Sequence, residues 1–177
     1  MNKKINIAQP DIGDDEWKSI KDSIDLGWIT QGLKVKEFET NFKKIQNVKN
    51  AIAVTSCTSA LQIILDELNL QNDEEVIVPS FTWVSTANVV VRAGAKLILA
   101  DVDPNTYNIS FSDIISKITN KTKAIIVVHL FGLCVDVKKL KNIIDPSIKI
   151  IEDCACAIGS KINNQYAGVD GYAGAFS

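Results

Sequence analysis

The sequence predicts an α/β fold: a three-layer α/β/α sandwich around a mostly parallel sheet. Two observations predict it. Helical and strand-like segments alternate along the chain, and several strand segments are near-continuous Ile/Val/Leu runs rather than alternating apolar and polar residues. Strands of that kind are covered on both faces, so helices must lie on each side of a parallel sheet, joined by right-handed crossovers.

The elements follow in order. Asp14 or Asp15 can cap a first helix with apolar positions Trp17, Ile20 and Ile24, ending at Gly27. Val35, Phe38, Phe42 and Ile45 recur at helical spacing and mark a second. Ala51 to Val54 reads as a short strand. It leads through the polar turn Thr55-Ser56-Cys57-Thr58-Ser59 into a helix with Leu61, Ile64, Leu65 and Leu68 inward.

A strand from Glu75 to Val78 is stopped by Pro79. A helix over about 82–92 ends at Gly94, and Lys96 to Asp101 is the next strand. Ser112 is placed to cap a short helix bearing Ile114, Ile115 and Ile118. Lys123 to Leu130 is a strong strand, and Val137, Leu140, Ile143 and Ile144 line a helix. Ile148 to Asp153 is another strand, and 159–168 folds as a small hairpin turning at Asn163-Asn164.

Composition excludes several functions. The 177 residues carry 19 Lys+Arg against 21 Asp+Glu, a formal charge of −2, with 46% hydrophobic residues. Such a chain can bury about 70% of its unfolded surface in one core. Low net charge with high apolar content excludes disorder as the main state. The slightly acidic balance argues against a nucleic-acid partner. Arg92 is the only Arg, so bidentate Arg clamps on phosphate or carboxylate are nearly unavailable.

The longest apolar stretch, 124–135, is interrupted by His129 and Gly132 and falls short of the ~20 residues that span a bilayer. Lys3 and Lys4 are followed by no apolar run, so the N-terminus does not read as a signal peptide. A cytoplasmic location is expected, with Cys57, Cys134, Cys154 and Cys156 as free thiols.

Ligands of parallel sheets bind beyond the carboxyl ends of the strands. That directs attention to 55–59, 79–83, 101–103, 129–132 and 152–156. Ser56 to Ser59 could cradle a phosphate at a helix N-terminus, and the same residues also serve simple capping. Asp153, after Glu152, ends an Ile-rich strand where a carboxylate needs a cationic or N–H partner. Trp83 could stack on a planar ligand or fill the core. His129, the only His, reads as a satisfied core or supporting residue ahead of a catalytic one. A metal site from Cys134, Cys154, Cys156 and His129 lacks the usual zinc spacing, and no metal is expected.

Taken together and in order, these motifs resemble the DegT/DnrJ/EryC1/StrS family of pyridoxal-phosphate (PLP) aminotransferases, which act on nucleotide-linked keto-sugars. The resemblance runs through Gly27-Trp28-Ile29-Thr30-Gln31-Gly32, then Phe38-Glu39, then Ser56-Cys57-Thr58-Ser59-Ala60-Leu61, where the family has Ser-Gly-Thr-x-Ala-Leu. It continues through Glu74 to Trp83, Gly94-Ala95, Asp101-Val102-Asp103, Val128-His129-Leu130-Phe131-Gly132, Glu152-Asp153-Cys154-Ala155 and Phe176-Ser177.

The resemblance implies the large domain of the fold-type I aminotransferases, with PLP as cofactor. Residues 1–30 would be an N-terminal segment and helix. Residues 31–177 would be an incomplete large PLP-binding domain, without the rest of that domain and the small domain. Asp153 would pair with the protonated pyridine nitrogen, Trp83 would stack on the ring, and Thr58, Ser59 and Ser177 would hold the phosphate. Cys156 stands where the family usually has Gln or His near the ring hydroxyl, and Cys57 replaces the common Gly.

No catalytic residue is assigned, because the family's Schiff-base Lys follows the Phe-Ser and is expected beyond Ser177. The chain is accordingly expected to be an N-terminal part, inactive alone. The intact enzyme would be a homodimer moving an amino group from glutamate to a nucleotide-linked keto-sugar for surface-polysaccharide biosynthesis. Alternatives are a truncated, non-catalytic or regulatory relative, and a PLP-dependent sugar dehydratase of the same fold with His in place of the Lys.

Overall fold

The computed structural model describes residues 9–177. Lys3 and Lys4, and the first eight residues of the segment assigned to 1–30, lie outside the described residues. The chain divides into two compact units, Met1–Ala53 and Val54–Ser177.

In the first unit, helices α1 (Asp14–Asp25) and α2 (Leu33–Gln46) form where the periodicity predicts. The cap differs. Gly13, in extended conformation, is the N-cap of α1, and Glu16 folds back to accept its N–H at 2.7 Å, so Asp14 and Asp15 are helical residues. The apolar positions Trp17, Ile20 and Ile24 stand exposed. In α2, Phe38 and Phe42 pack as a tilted pair with ring centroids 6.0 Å apart, and Glu39 accepts the Ala53 N–H at 2.8 Å.

The second unit is built on a parallel five-stranded sheet of order β2-β1-β3-β4-β7. Its strands are β1 (Glu75–Pro79), β2 (Lys96–Ala100), β3 (Thr122–Val128), β4 (Lys149–Cys154) and β7 (Ala173–Phe176). Helices α3 (Cys57–Glu67), α4 (Ser85–Arg92), α5 (Phe111–Lys117) and α6 (Val137–Lys141) connect them. A hairpin of β5 (Lys161–Ile162) and β6 (Gln165–Tyr166) turns at Asn163 and Asn164, both at positive φ as such a tight turn demands.

The period-2 alternation of a strand divides the core into two layers. Val76, Val78, Ala124, Ile126, Ile151 and Ala175 face α3 and α4, packing with Leu61, Leu65, Val89 and Val90. Ile77, Ile125, Val127 and Ile150 face the other way, onto Ile114 of α5 and Val137 and Leu140 of α6. This is the predicted three-layer α/β/α arrangement.

Three further expectations are corrected. Residues 51–54 form no strand, because no described neighbour pairs with them. The cap of α5 is Ser110, whose Oγ accepts the Asp113 N–H, rather than Ser112, which lies inside the helix. The closing strand β7 was not anticipated, because Ala-Gly-Ala-Phe carries no β-branched residue.

Candidate functional site

A cavity of about 360 Å³ opens at the carboxyl ends of β1, β3 and β4, where a parallel sheet places its ligands. Four pieces of chain line it. They are the start of α3 (Cys57, Thr58, Leu61), the segment from the end of β1 into α4 (Phe81, Thr82, Trp83, Ser85, Thr86), the turn after β3 (Val128 to Phe131), and the end of β4 with its following turn (Asp153, Ala155, Cys156).

Asp153 lies on this cavity at 5% exposure. A buried carboxylate needs compensation, and here it comes from neutral donors. Oδ1 accepts the Ala155 N–H at 3.1 Å and the Cys57 thiol at 3.5 Å, and Oδ2 accepts the Thr86 hydroxyl at 3.0 Å. No Lys or Arg among the described residues forms an ion pair with it. Burial, and then the charge of Asp153, push the Cys57 thiol up to about 12.

Behind Asp153 lies a second buried group. His129 Nδ1 accepts the Val135 N–H at 3.0 Å, so in the neutral ring the proton sits on Nε2 and is donated to Glu152 at 2.9 Å. Glu152 also accepts N–H bonds from Gly168 at 2.8 Å, Asp170 at 2.9 Å and Gly171 at 2.5 Å. Burial pushes its carboxyl up, but the bonds from His129, Gly168 and Gly171 outweigh that and hold it below the usual range. His129 thus supports the site, one of the two roles its sequence position suggested.

One trio among the described residues has ligand atoms close enough to share a metal: His129, Glu152 and Cys154, all within 4.8 Å. Their geometry serves other ends. The Glu152 oxygens are filled by four donors, His129 bonds through both ring nitrogens, and burial first, then the Glu152 charge, pushes the Cys154 thiol strongly up.

The other candidates fall as follows. Trp83 stands 77% exposed on the cavity rim and is no core aromatic. Thr58 and Cys156 line the cavity and are exposed. Ser59 is half-buried in the first turn of α3. Its N–H goes to Ser56 Oγ, and its hydroxyl shares 3.0 Å bonds with Thr55 and Ser56. Ser56 thus caps the helix, the simpler of the two readings of this turn, while Thr58 lines the cavity. Ser177 is exposed and follows β7, whose Phe176 pairs with Cys154, so it lies at the same sheet edge without lining the cavity. Asp101 and Asp103 serve local turns instead, Asp103 accepting the N–H groups of Asn105 and Thr106.

Two residues of the site were not singled out from sequence, Thr86 and the thiol of Cys57 as a donor. The only available signal for Thr86 was a hydroxyl on the otherwise apolar inner face of α4.

Residues 10–177 match the model of the DegT/DnrJ/EryC1/StrS aminotransferase family. The chain belongs to this family. It is 35% identical to a GDP-perosamine synthase of Vibrio cholerae over 98% of its own length and 48% of the relative's, and 37% identical to one of Escherichia coli O157:H7 over 99% and 49%. The chain thus spans about half the length of the curated relatives it matches.

Among solved structures it is similar to Spr1654 of Streptococcus pneumoniae in its PMP form, with TM-score 0.95 and 29% identity over 99% of this chain and 48% of that one. It is also similar to GDP-4-keto-6-deoxymannose-3-dehydratase with bound GDP-perosamine, with TM-score 0.92 and 31% identity over 97% and 46%. The aminotransferase TlmJ of Streptoalloteichus hindustanus gives TM-score 0.91 and 30% identity over 98% and 48%.

The cofactor of this DegT/DnrJ/EryC1/StrS chain is pyridoxal phosphate. The residues present fit that group. A buried carboxylate with no cationic partner among the described residues meets a cavity rimmed by aromatic side chains, which suits a cationic planar ring. Among the described residues, no helix is long and apolar enough to cross a membrane.

Proposed function

We propose that this chain carries the ring- and phosphate-binding part of a PLP-dependent aminotransferase that moves an amino group from glutamate to a GDP-linked keto-sugar. The observation that carries the reading is Asp153: a carboxylate at 5% exposure, on a cavity, supported among the described residues by neutral donors alone. The choice of GDP is supported by the relatives named GDP-perosamine synthase and by the dehydratase solved with GDP-perosamine.

Bound PLP supplies an electron sink, its protonated ring accepting the electron pair left when a C–H bond beside the amine is broken. The chain's own residues bind and orient. Asp153 holds the proton on the ring nitrogen. Trp83 offers an exposed indole face to the ring and shields it from water. Thr58, which lines the cavity, would supply donors for the phosphate together with the hydroxyls of Ser59 and Ser177, a division that needs no Arg. Cys156, which lines the cavity, would face the ring hydroxyl. The working enzyme is a cytoplasmic homodimer in this reading, and its product feeds surface-polysaccharide biosynthesis.

A second reading is a PLP-dependent sugar dehydratase, because dehydratase structures align at 31% identity with TM-score 0.92. The test supplies protein purified from its own cells with PLP, glutamate and GDP-4-keto-6-deoxymannose. The expected result is 2-oxoglutarate and a GDP-linked amino-sugar, formed one for one. Loss of water from the sugar with no amine gained would establish the dehydratase. Unchanged substrate would establish a non-catalytic relative.

A further inference from the structure

Carboxylate oxygens offer roughly two acceptor positions each. Oδ1 of Asp153 has both filled, by Ala155 N–H and the Cys57 thiol, while Oδ2 has one filled, by Thr86. The directions of these bonds are fixed by proton counting. An ionised carboxylate only accepts, so Thr86 spends its single hydroxyl proton on Oδ2. The 3.1 Å bond between Thr86 and Thr82 must then have Thr82 as donor. A directed chain runs Thr82 to Thr86 to Asp153, with Thr86 fully buried. Its two ends lie on the cavity wall, where Thr82 and Asp153 are both found.

Cys57, the first residue of α3, reaches the other oxygen, Oδ1. It is buried, and its thiol, pushed up by burial and by the neighbouring charge, remains an S–H donor at neutral pH. It occupies the place where the family commonly has Gly, so this donor is a feature of the present chain.

We propose that Cys57 and Thr86 are positioning residues that fix the Asp153 carboxylate with Oδ1 saturated and one acceptor position of Oδ2 left for the N–H of a cationic ring. The inference rests on the reading that Asp153 meets the pyridine nitrogen. It adds which oxygen does so and which side chains select it. With the Thr86 bond gone, the carboxylate could turn about its Cα–Cβ–Cγ axis, and the acceptor facing the cavity would no longer be defined.

The test compares binding of two probes to the full-length protein by absorbance titration. One is PLP. The other is its 1-deaza analogue, in which C–H replaces the ring nitrogen and no N–H can be offered. Wild-type protein should prefer PLP. Thr86→Val should reduce that preference about tenfold and Cys57→Gly about threefold, the thiol being the weaker donor, with the loss confined to PLP. Thr86→Ser should restore it.

Equal weakening of both probes by the variants would mean a merely structural role and would overturn the inference. An unchanged preference would do the same. No preference in the wild type would instead remove the assignment of Asp153 to the ring nitrogen, and this inference with it. If Thr86→Val fails to fold, Cys57→Gly carries the test, since Gly is the residue the family tolerates there.

Discussion

His129 donates through Nε2 to Glu152 across 2.9 Å, in a place where the two side chains are 1% and 2% exposed. The pair does more than satisfy itself. Glu152 receives the N–H groups of Gly168, Asp170 and Gly171, and so pins the loop that launches β7 toward Ser177. Glu152→Ala would leave these donors unpaired in the interior. The expected loss is about 3–5 kcal/mol of folding stability, read from urea unfolding. Glu152→Gln keeps the volume but turns an amide NH₂ toward other donors, and should lose somewhat less. A change within 0.5 kcal/mol for the alanine variant would deny Glu152 this role.

Acid should undo the same contacts. The folded Glu152 carboxyl is held below its usual value, with the His129 and backbone bonds overcoming burial. Glu75 is held down too, first by the Thr119 hydroxyl and then by Lys96. A group depressed on folding stabilises the protein above its unfolded pKa, about 4.3 for Glu, and that stability is lost as pH falls through the folded value. The melting temperature should therefore hold level from pH 7 to about 5 and fall steadily below about 4.5. In Glu152→Gln the fall should be shallower. A wild-type curve flat down to pH 3 would contradict the assignment.

Much of this was legible from the chain itself. The Ile/Val runs of β1, β3 and β4 announce strands buried on both faces, because only such positions tolerate apolar side chains on every residue. Asn163-Asn164 announces its hairpin, because Asn accepts the left-handed backbone. The strand β7 was not legible, since its residues are small for a reason only the fold reveals. A Cβ on Gly174 would lie 2.4 Å from the Gly168 carbonyl oxygen. Crowding there selects Gly at 174 over a β-branched residue, which weakens the usual strand signal. Thr86 was equally hidden. A hydroxyl on a helix means nothing until its distant partner, Asp153, is seen beside it.

Asp153 itself should show the largest effect on cofactor binding. Removing one member of a buried, hydrogen-bonded charge pair costs about 2–5 kcal/mol. Asp153→Ala should therefore weaken PLP binding by about 30-fold or more, measured by absorbance titration. Asp153→Asn should behave similarly, because a neutral amide provides no charge to hold the ring proton. Near wild-type affinity in both variants would place the ring nitrogen elsewhere.

Trp83 separates binding from folding. Its side chain is 77% exposed on the cavity rim, so it contributes little to the core, and exposed substitutions commonly change stability by less than about 0.5 kcal/mol. Aromatic pairs are worth about 0.5–1.5 kcal/mol beyond their buried area. Trp83→Ala should therefore leave the melting curve nearly unchanged while weakening PLP about tenfold. Trp83→Phe should recover most of the affinity, because it restores a flat ring without the indole N–H. If Trp83→Ala lowered the melting temperature as much as it lowered affinity, the indole would be serving the fold, and the cavity wall opposite the ring would have to be sought among Phe81 and Phe131, the other exposed aromatics that line it.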